Sequence, residues 1–256
     1  MIARIFALLL LLPCLAFADV EGLSEPTVEG LTEPTVEGIA HATAFCSCSG
    51  DLDFCWEVTA NDTTITNSGG CSEGDTIAAA TSSVELVAAP SGKTGYAIHA
   101  PTASDYYTFD VSTDDIISDD AGTIEFDIYI DTWADVSAVF EFDDGTANNE
   151  ISIRTDGGSN TDIEFRLIYI GNTVAVAFST SEVNGVEDTW YHIVAKWRQG
   201  VTDPSLSLQV DAIAASTNNT DLTNFASAGT RLRIGELQST TNYTYIKNIK
   251  VYKSWQ

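Results

Sequence analysis

The sequence predicts an all-β fold, an antiparallel sandwich of two sheets. Short segments in which apolar and polar residues alternate recur through residues 44–256, and clusters of Gly, Asn, Asp, Ser and Thr separate them. No helical periodicity lies between them, although a parallel α/β fold would require it. Many short strands with regular turn signals are typical of sandwiches. Hydrophobic residues make up 44% of the chain, which is enough to form a core.

The clearest strand is predicted over Gly122–Asp131. Here Ile124, Phe126, Ile128 and Ile130 share one face, and the residues between them, most of them polar, share the other. Further segments of this kind lie at 139–142, 151–154, 163–170, 174–178, 190–197, 206–210, 231–234 and 245–252. The sequence therefore predicts strands across most of the chain.

The first 18 residues have the three parts of a secretory signal peptide. Arg4 gives a positive start, Ile5–Leu12 is apolar, and Ala16-Phe17-Ala18 is a small-x-small cleavage site before Asp19. A buried helix is the alternative. No later stretch is long and apolar enough to span a membrane. We therefore expect a protein that is secreted, extracellular or at the cell surface, without membrane insertion.

An acidic octapeptide repeat follows over residues 19–43. Val20, Val28 and Val36 begin its three copies, which carry Glu and Gly and have no apolar face to bury. We interpret the tract as an extended linker. A strand-donating arm that joins copies of the chain is the alternative. The remaining residues, 44–256, form the predicted domain.

Four cysteines remain after Cys14, which lies in the predicted signal peptide. They are Cys46, Cys48, Cys55 and Cys71. An even number in an exported chain indicates two disulfides near the start of the domain, and three pairings are open. A zinc site is the alternative, but the C-x-C spacing fits it poorly.

The charge balance excludes some partners. The chain has 37 Asp and Glu but 11 Lys and Arg, which gives a net charge of −26. Such a chain repels polyphosphate, so we expect no nucleic-acid binding. Docking on anionic lipid is disfavoured for the same reason. An acidic surface does suit divalent cations.

Several segments carry motifs in an order that resembles one superfamily. They are Asp105–Phe109, Gly122–Asp127, Thr189–Ala195, Leu208–Asp211, Leu232–Gly235 and Tyr245–Tyr252. Together they resemble the concanavalin A-like lectin/glucanase superfamily, in its laminin-G-like branch, over residues 54–255. The resemblance implies a two-sheet jelly roll, often sugar-binding and often with one structural calcium. It implies no single activity, because lectins, adhesion modules and hydrolases share this fold.

The acidic motif of the related glucanases is incomplete. Those enzymes carry E-x-D-x-E or E-x-D-x-x-E. Here Glu125 and Asp127 begin the motif, but Tyr129 and Ile130 stand where the third acid belongs. Without that acid no proton donor serves the leaving group. The three histidines have no G-x-S-x-G turn to support a triad. We therefore expect no enzymatic activity.

Two acidic clusters are candidates for one structural calcium. The loop that begins with Asp143 and Asp144 offers many hard oxygen ligands. Glu57 and Asn61 form the second candidate, because members of the resembled superfamily often bind calcium beside their first strand. The alternative is that both clusters are solvated acidic loops.

Candidate ligand-binding residues are aromatic or cationic. Sandwiches bind sugars with aromatic rings and a few polar groups, and Trp133 and Trp197 are available for this. The resemblance assigns Trp190 to core packing. Arg154 and Arg166 lie on predicted strands with outward parity, where they can bind an acidic sugar or neutralise neighbouring carboxylates.

These observations favour a secreted, non-catalytic module that recognises a glycan or the extracellular matrix. Its expected partner is an extracellular polysaccharide or glycoprotein. Two alternatives stay open. One is a structural surface or filament subunit that associates with itself through the repeat, and the other is a divergent glycan hydrolase.

Overall fold

All residues that the computed structural model describes lie within one compact unit, Ile39–Gln256. They are residues 52–58, 77–80, 83–101, 105–110, 120–133, 137–145, 149–156, 162–169, 172–179, 185–200, 204–220, 231–236 and 244–256. The predicted signal peptide (1–18), the predicted linker (19–43), Cys46, Cys48, Asn61 and Cys71 lie outside the described residues.

Fifteen β-strands and no helix are present among the described residues. The strands are β1 (Leu52–Trp56), β2 (Ile77–Ala80), β3 (Glu85–Ala88), β4 (Tyr96–Ala100), β5 (Asp105–Asp110), β6 (Ala121–Ile130), β7 (Ser137–Asp143), β8 (Asn149–Asp156), β9 (Asp162–Tyr169), β10 (Asn172–Ser179), β11 (Thr189–Arg198), β12 (Leu206–Val210), β13 (Ser216–Asn218), β14 (Arg231–Glu236) and β15 (Thr244–Tyr252). Within this part of the chain, no helix is long and apolar enough to cross a membrane.

The strands form two antiparallel sheets that pack face to face. Sheet A has the order β13-β12-β11-β6-β15-β4-β3, and β1 also pairs with β15. Sheet B has the order β10-β9-β8-β7-β14-β5-β2. The predicted all-β, two-sheet antiparallel sandwich is therefore confirmed, and its topology is jelly-roll-like.

The alternation predicted for β6 is confirmed. Ile124, Phe126, Ile128 and Ile130 each keep at most 1% of their surface exposed, and all four belong to the core between the sheets. β6 pairs with β11 on one side and with β15 on the other. Burial of these apolar side chains is the main favourable term in folding, and it fixes which face of β6 points inward.

Aromatic rings from the two sheets meet across the core. Three such pairs are Phe54 with Phe109 at 5.5 Å between ring centroids, Phe126 with Phe140 at 6.5 Å, and Phe165 with Trp197 at 6.5 Å. Each pair joins a strand of sheet A to a strand of sheet B. Contacts of this kind stabilise a fold beyond the area that they bury.

The two tryptophans of β11 lie on opposite faces of sheet A. Trp197 is completely buried in the core, so its predicted role in ligand binding is wrong, since a fully buried ring cannot contact a glycan. Trp190, which the resemblance assigned to the core, lies on the outer face and is half-buried. Residues seven positions apart on a strand point to opposite faces, so only one of the two can pack inside.

Cys55 is buried in β1 and is disulfide-bonded. Its partner lies outside the described residues, and the pairing of the four cysteines stays open. The framework of two disulfides therefore stays a prediction.

Gly122 in β6 lies directly against the indole ring of Trp197. A Cβ atom added at Gly122 would lie 2.1 Å from two ring carbons of Trp197. Because the ring is enclosed by the core, it has no space into which to move. The absence of a side chain at this position therefore allows Trp197 to pack.

We expect Gly122→Ala to destabilise the domain by about 2 kcal/mol or more, because the added methyl overpacks the core. Urea unfolding followed by tryptophan fluorescence measures the change. Gly200→Asn is the matched control, since nothing lies within 4 Å of that position and its φ of +69° falls in the left-handed region that Asn adopts. Equal stability of the two variants would contradict the proposed contact.

Candidate functional site

The outer faces of the two sheets carry the cations of the domain. All ten Lys and Arg residues after Arg4 lie among the described residues. The five lysines and Arg198 lie on β11, on β15 or in segments next to the strands of sheet A, whereas four arginines lie on sheet B. In a chain with 37 acidic residues, these two places are where the scarce positive charge is concentrated.

An aromatic row crosses the outer face of sheet A. It consists of His99 on β4, Tyr245 on β15, Tyr129 on β6 and Trp190 on β11, which are cross-strand neighbours in register. His99 stacks on Tyr245 at 4.4 Å between centroids. Tyr129 then contacts Tyr245 at 5.6 Å and Trp190 at 5.4 Å. The strand pairing thus builds one continuous row of rings.

The loop between β3 and β4 covers one end of the aromatic row. The indole N–H of Trp190 donates to the carbonyl of Pro90 at 3.1 Å, and the Lys93 ammonium lies 6.0 Å from the centre of the same ring. The Lys247 ammonium on β15 donates to the carbonyl of Thr94. These contacts hold the loop against the sheet.

Polar side chains lie directly beside the aromatic row, centred on Asp127. Its carboxylate is 2.8 Å from Nδ1 of His192, and it accepts hydrogen bonds from Asn248 at 2.8 Å and Lys93 at 3.3 Å. Although burial favours the neutral form, the bonds from His192, Asn248 and Lys93 hold the pKa of Asp127 below its ordinary value. The hydrogen bond with Asp127 raises the pKa of His192.

Glu125 lies one cross-strand row away from Asp127 on the same face. It is 3.7 Å from Nε2 of His192 and 3.7 Å from the ammonium of Lys250. Both acids of the incomplete glucanase motif are therefore partners of cationic or titratable groups. Where that motif requires its third acid, the chain places Tyr129 in the aromatic row and Ile130 in the core.

Trp133 lies just beyond the end of β6 and is linked to the aromatic row. Its backbone N–H donates to Glu187, and the neighbouring Asp188 accepts a hydrogen bond from the hydroxyl of Tyr129. The Trp133 ring packs edge-on against Tyr191 at 6.0 Å. Its buried indole N–H makes no hydrogen bond to any described residue. The role of Trp133 in ligand binding stays a prediction.

An arginine cluster occupies the outer face of sheet B. We define it as the guanidinium groups of Arg154, Arg166, Arg231 and Arg233 with the carboxylates of Glu141, Asp143 and Glu150. These residues come from four neighbouring strands, β7, β8, β9 and β14. The cluster contains the predicted pair of arginines and two residues of the predicted calcium loop, Asp143 at its start and Glu150 at its end.

Glu150 joins the two predicted arginines. Its Oε1 accepts hydrogen bonds from Arg154 at 2.8 Å and from Arg166 at 2.9 Å, and the Ser152 hydroxyl also donates to it. The outward parity predicted for both arginines is confirmed, because Ile151, Ile153, Phe165 and Leu167 around them face the core. Of the two roles predicted for these arginines, neutralisation of a carboxylate is the one that these contacts describe.

Arg231 and Arg233 were missed by the sequence interpretation. Arg231 binds Asp143 at 2.5 Å, and Arg233 binds Asp143 at 2.8 Å and also contacts Glu141. They lie 88 and 90 positions after Asp143, so only the pairing of β14 with β7 brings them together. The alternating Arg-Leu-Arg-Ile pattern of β14 was the available signal, since it places both arginines on one face.

The three carboxylates of the cluster titrate differently. Burial opposes ionisation of all three, but hydrogen bonds from Arg231 and from Ser152 respectively, together with the nearby arginine charges, hold the pKa values of Asp143 and Glu150 below their ordinary values. Burial dominates at Glu141 and, with the nearby charges of Glu150 and Asp143, raises its pKa to about 7 despite Arg233.

The surroundings of Asp143 do not fit a calcium ion. Both of its oxygens accept hydrogen bonds from arginines, and one also accepts from the backbone N–H of Gly145 at 2.6 Å. Two guanidinium charges beside the carboxylate repel a divalent cation. The neighbouring Asp144 accepts from Asn149 at 2.9 Å. Among the described residues, no group of three or more His, Cys, Asp or Glu is arranged to hold a metal.

Solved structures share this fold. No family model matches the chain, and no curated protein matches its sequence significantly. The serotype D botulinum neurotoxin binding domain is similar, with a TM-score of 0.60, 12% identity and coverage of 80% of this chain and 48% of that one. The binding domain of botulinum neurotoxin DC in complex with SialylT has a TM-score of 0.60 and 11% identity, and the match covers 80% of this chain and 49% of that one. The receptor-binding domain of the botulinum neurotoxin C/D mosaic serotype has a TM-score of 0.56 and 12% identity, and the match covers 80% of this chain and 49% of that one.

The chain spans about half the length of these structures. At this level of identity the likeness shows the fold, an all-β sandwich. The position of a binding site cannot be transferred by such a likeness, because one fold hosts many functions.

We expect Asp127→Asn to lower the pKa of His192, because the substitution removes the charge that stabilises the imidazolium. A proton NMR titration of the three histidines measures it. His99, whose pKa burial lowers, serves as the internal control and should not change. The folded-state pKa of His192 is raised, so the stability from this pair is present below its ordinary pKa and is lost as pH rises through the folded value. An unchanged His192 titration would contradict the pairing.

We expect Glu141→Gln to raise the melting temperature at pH 8. The folded-state pKa of Glu141 is about 7 and therefore raised, so ionisation of this buried group costs stability as pH rises from about 4.5 towards 7. The free energy of unfolding should rise by about 1–3 kcal/mol at pH 8 and by less at pH 5. Thermal unfolding of the variant and the wild type at both pH values tests this. Glu187→Gln, at an exposed position, is the control, and its effect on the melting temperature should be the same at the two pH values. A gain for Glu141→Gln that does not depend on pH would contradict the assignment.

Proposed function

We propose that this protein is a secreted, non-catalytic glycan-recognition module with a concanavalin A-like, laminin-G-like jelly roll. The aromatic row, with polar side chains directly beside it on the outer face of sheet A, is the observation that carries the proposal. The ligand is an extracellular polysaccharide or the glycan of a glycoprotein.

The chemistry of the aromatic row suits a sugar. Trp190 and Tyr245 are half-buried, so each is held by the sheet while part of it remains accessible. Aromatic faces stack on the apolar faces of pyranose rings, and a few fixed polar groups then orient the sugar. Asp127, His192 and Lys93 offer both hydrogen-bond acceptors and donors beside the rings.

The similar structures support a binding role. They are receptor-binding or binding domains, and one of them is in complex with SialylT. At 11–12% identity this support is an analogy at the level of the fold. It agrees with the independent chemical argument from the aromatic row.

The two carboxylates beside the aromatic row, Asp127 and Glu125, support a non-catalytic role. A glycosidase needs one carboxyl that gives up a proton and a second that acts as base or nucleophile. Asp127 is instead kept ionised by its partners, and Glu125 lies beside Lys250 and His192. The signal-peptide pattern of residues 1–18 and the disulfide bond of Cys55 support secretion.

A glycan array tests the proposal directly. We expect the full chain to bind at least one class of extracellular glycan, and Trp190→Ala and Tyr245→Ala to weaken that binding about tenfold or more, since each removes a stacking surface. Trp255→Ala is the matched control, because this tryptophan lies at the other end of sheet A, against Arg198. It should leave binding unchanged.

Circular dichroism of each variant checks that the sandwich is retained. Two results would overturn the proposal. One is the absence of binding to every glycan by the wild-type chain, and the other is equal binding by all three variants. A second array with a chelator tests the predicted calcium, and loss of binding there would place a metal at a site other than Asp143.

A further inference from the structure

Charge in the arginine cluster is layered by depth. The side chains of Arg231, Arg166 and Arg233 are 39%, 19% and 16% exposed, whereas Arg154 and the three carboxylates beneath them are 2–8% exposed. Solvent therefore meets guanidinium groups on this face. The cluster contains four of the six arginines in a chain of net charge −26.

Two buried groups in the cluster have unused hydrogen-bonding capacity. Oε2 of Glu141 and Nε of Arg166 make no hydrogen bond to any described residue, and Glu141 is only 4% exposed. Both residues flank Ser152 in one cross-strand row. Leaving buried polar atoms unsatisfied costs free energy, so such atoms call for an additional partner.

We propose that the arginine cluster is an anion-binding subsite that takes the carboxylate of an acidic sugar, with Arg231 as its principal contact. A guanidinium group matches the planar carboxylate in charge and in geometry. This inference rests on the proposed function and specifies the glycan as a carboxylated one.

The subsite is separate from the aromatic row. The two lie on the outer faces of different sheets, and packed sheets are about 10 Å apart before side chains are added. One sugar unit cannot contact both. Variants of the arginine cluster and of the aromatic row therefore test different parts of the surface.

The experiment compares the full wild-type chain with Arg231→Gln on four probes. The probes are a sialylated oligosaccharide, an oligogalacturonate, a sulfated galactan oligosaccharide that carries no carboxylate, and a neutral galactose oligosaccharide. We expect the wild type to prefer the carboxylated probes, and Arg231→Gln to bind them about tenfold or more weakly. Arg198→Gln is the matched control, because it makes the same change of charge on sheet A and should change binding less than twofold.

The outcomes separate this inference from the proposed function. Equal binding of neutral and carboxylated probes, or unchanged binding by Arg231→Gln, overturns the subsite and leaves glycan recognition intact. Binding of the sulfated probe alone overturns the assignment of a carboxylate. Failure of the wild type to bind any glycan overturns the proposed function itself.

A second measurement does not depend on a variant. Phenylglyoxal modifies accessible arginines, and mass spectrometry reports the rate at each position. A carboxylated oligosaccharide should slow modification of Arg231 in the wild-type chain and leave Arg198 unchanged. Equal rates with and without the oligosaccharide would overturn the proposal even if Arg231→Gln fails to fold.

Discussion

The placement of β6 between β11 and β15 is the constraint on which the rest of the structure depends. Its inward residues form the middle of the core, and the absence of a side chain at Gly122 makes room for Trp197. Because side chains alternate along a strand, the residues between these inward side chains of β6 must point outward. Asp127 and Tyr129 therefore reach the centre of the outer face, where the aromatic row and its polar neighbours assemble.

Scarce positive charge shapes both outer faces. A chain with 37 acidic residues cannot neutralise them all, and the structure concentrates its cations where carboxylates are most buried. A buried carboxylate without a partner is strongly destabilising, whereas a bidentate arginine partly offsets its desolvation. Asp143 illustrates this, since two arginines from β14 hold it.

The two outer faces have different chemistry on one scaffold. The face of sheet A presents rings with mixed polar groups, which suit a sugar ring. The face of sheet B presents guanidinium groups above buried carboxylates, which suit an anionic substituent. A rigid sandwich is well suited to hold both, because strands position side chains more precisely than loops do.

The sequence by itself determined the fold class and the inward faces of its strands, because alternation of apolar and polar residues is a local property that burial enforces. It also identified Arg154 and Arg166 as outward cations. Only the tertiary structure decided which charges meet, since Asp143 finds its arginines through strand pairing across about 90 residues. The same alternation places Trp197 inside with Ile193 and Ala195 and Trp190 outside, whereas the resemblance to the superfamily had assigned Trp190 to the core. Alternation within one strand says which face a side chain takes, but it carries no information about which distant strand pairs with it, and pairing decides the charge partners.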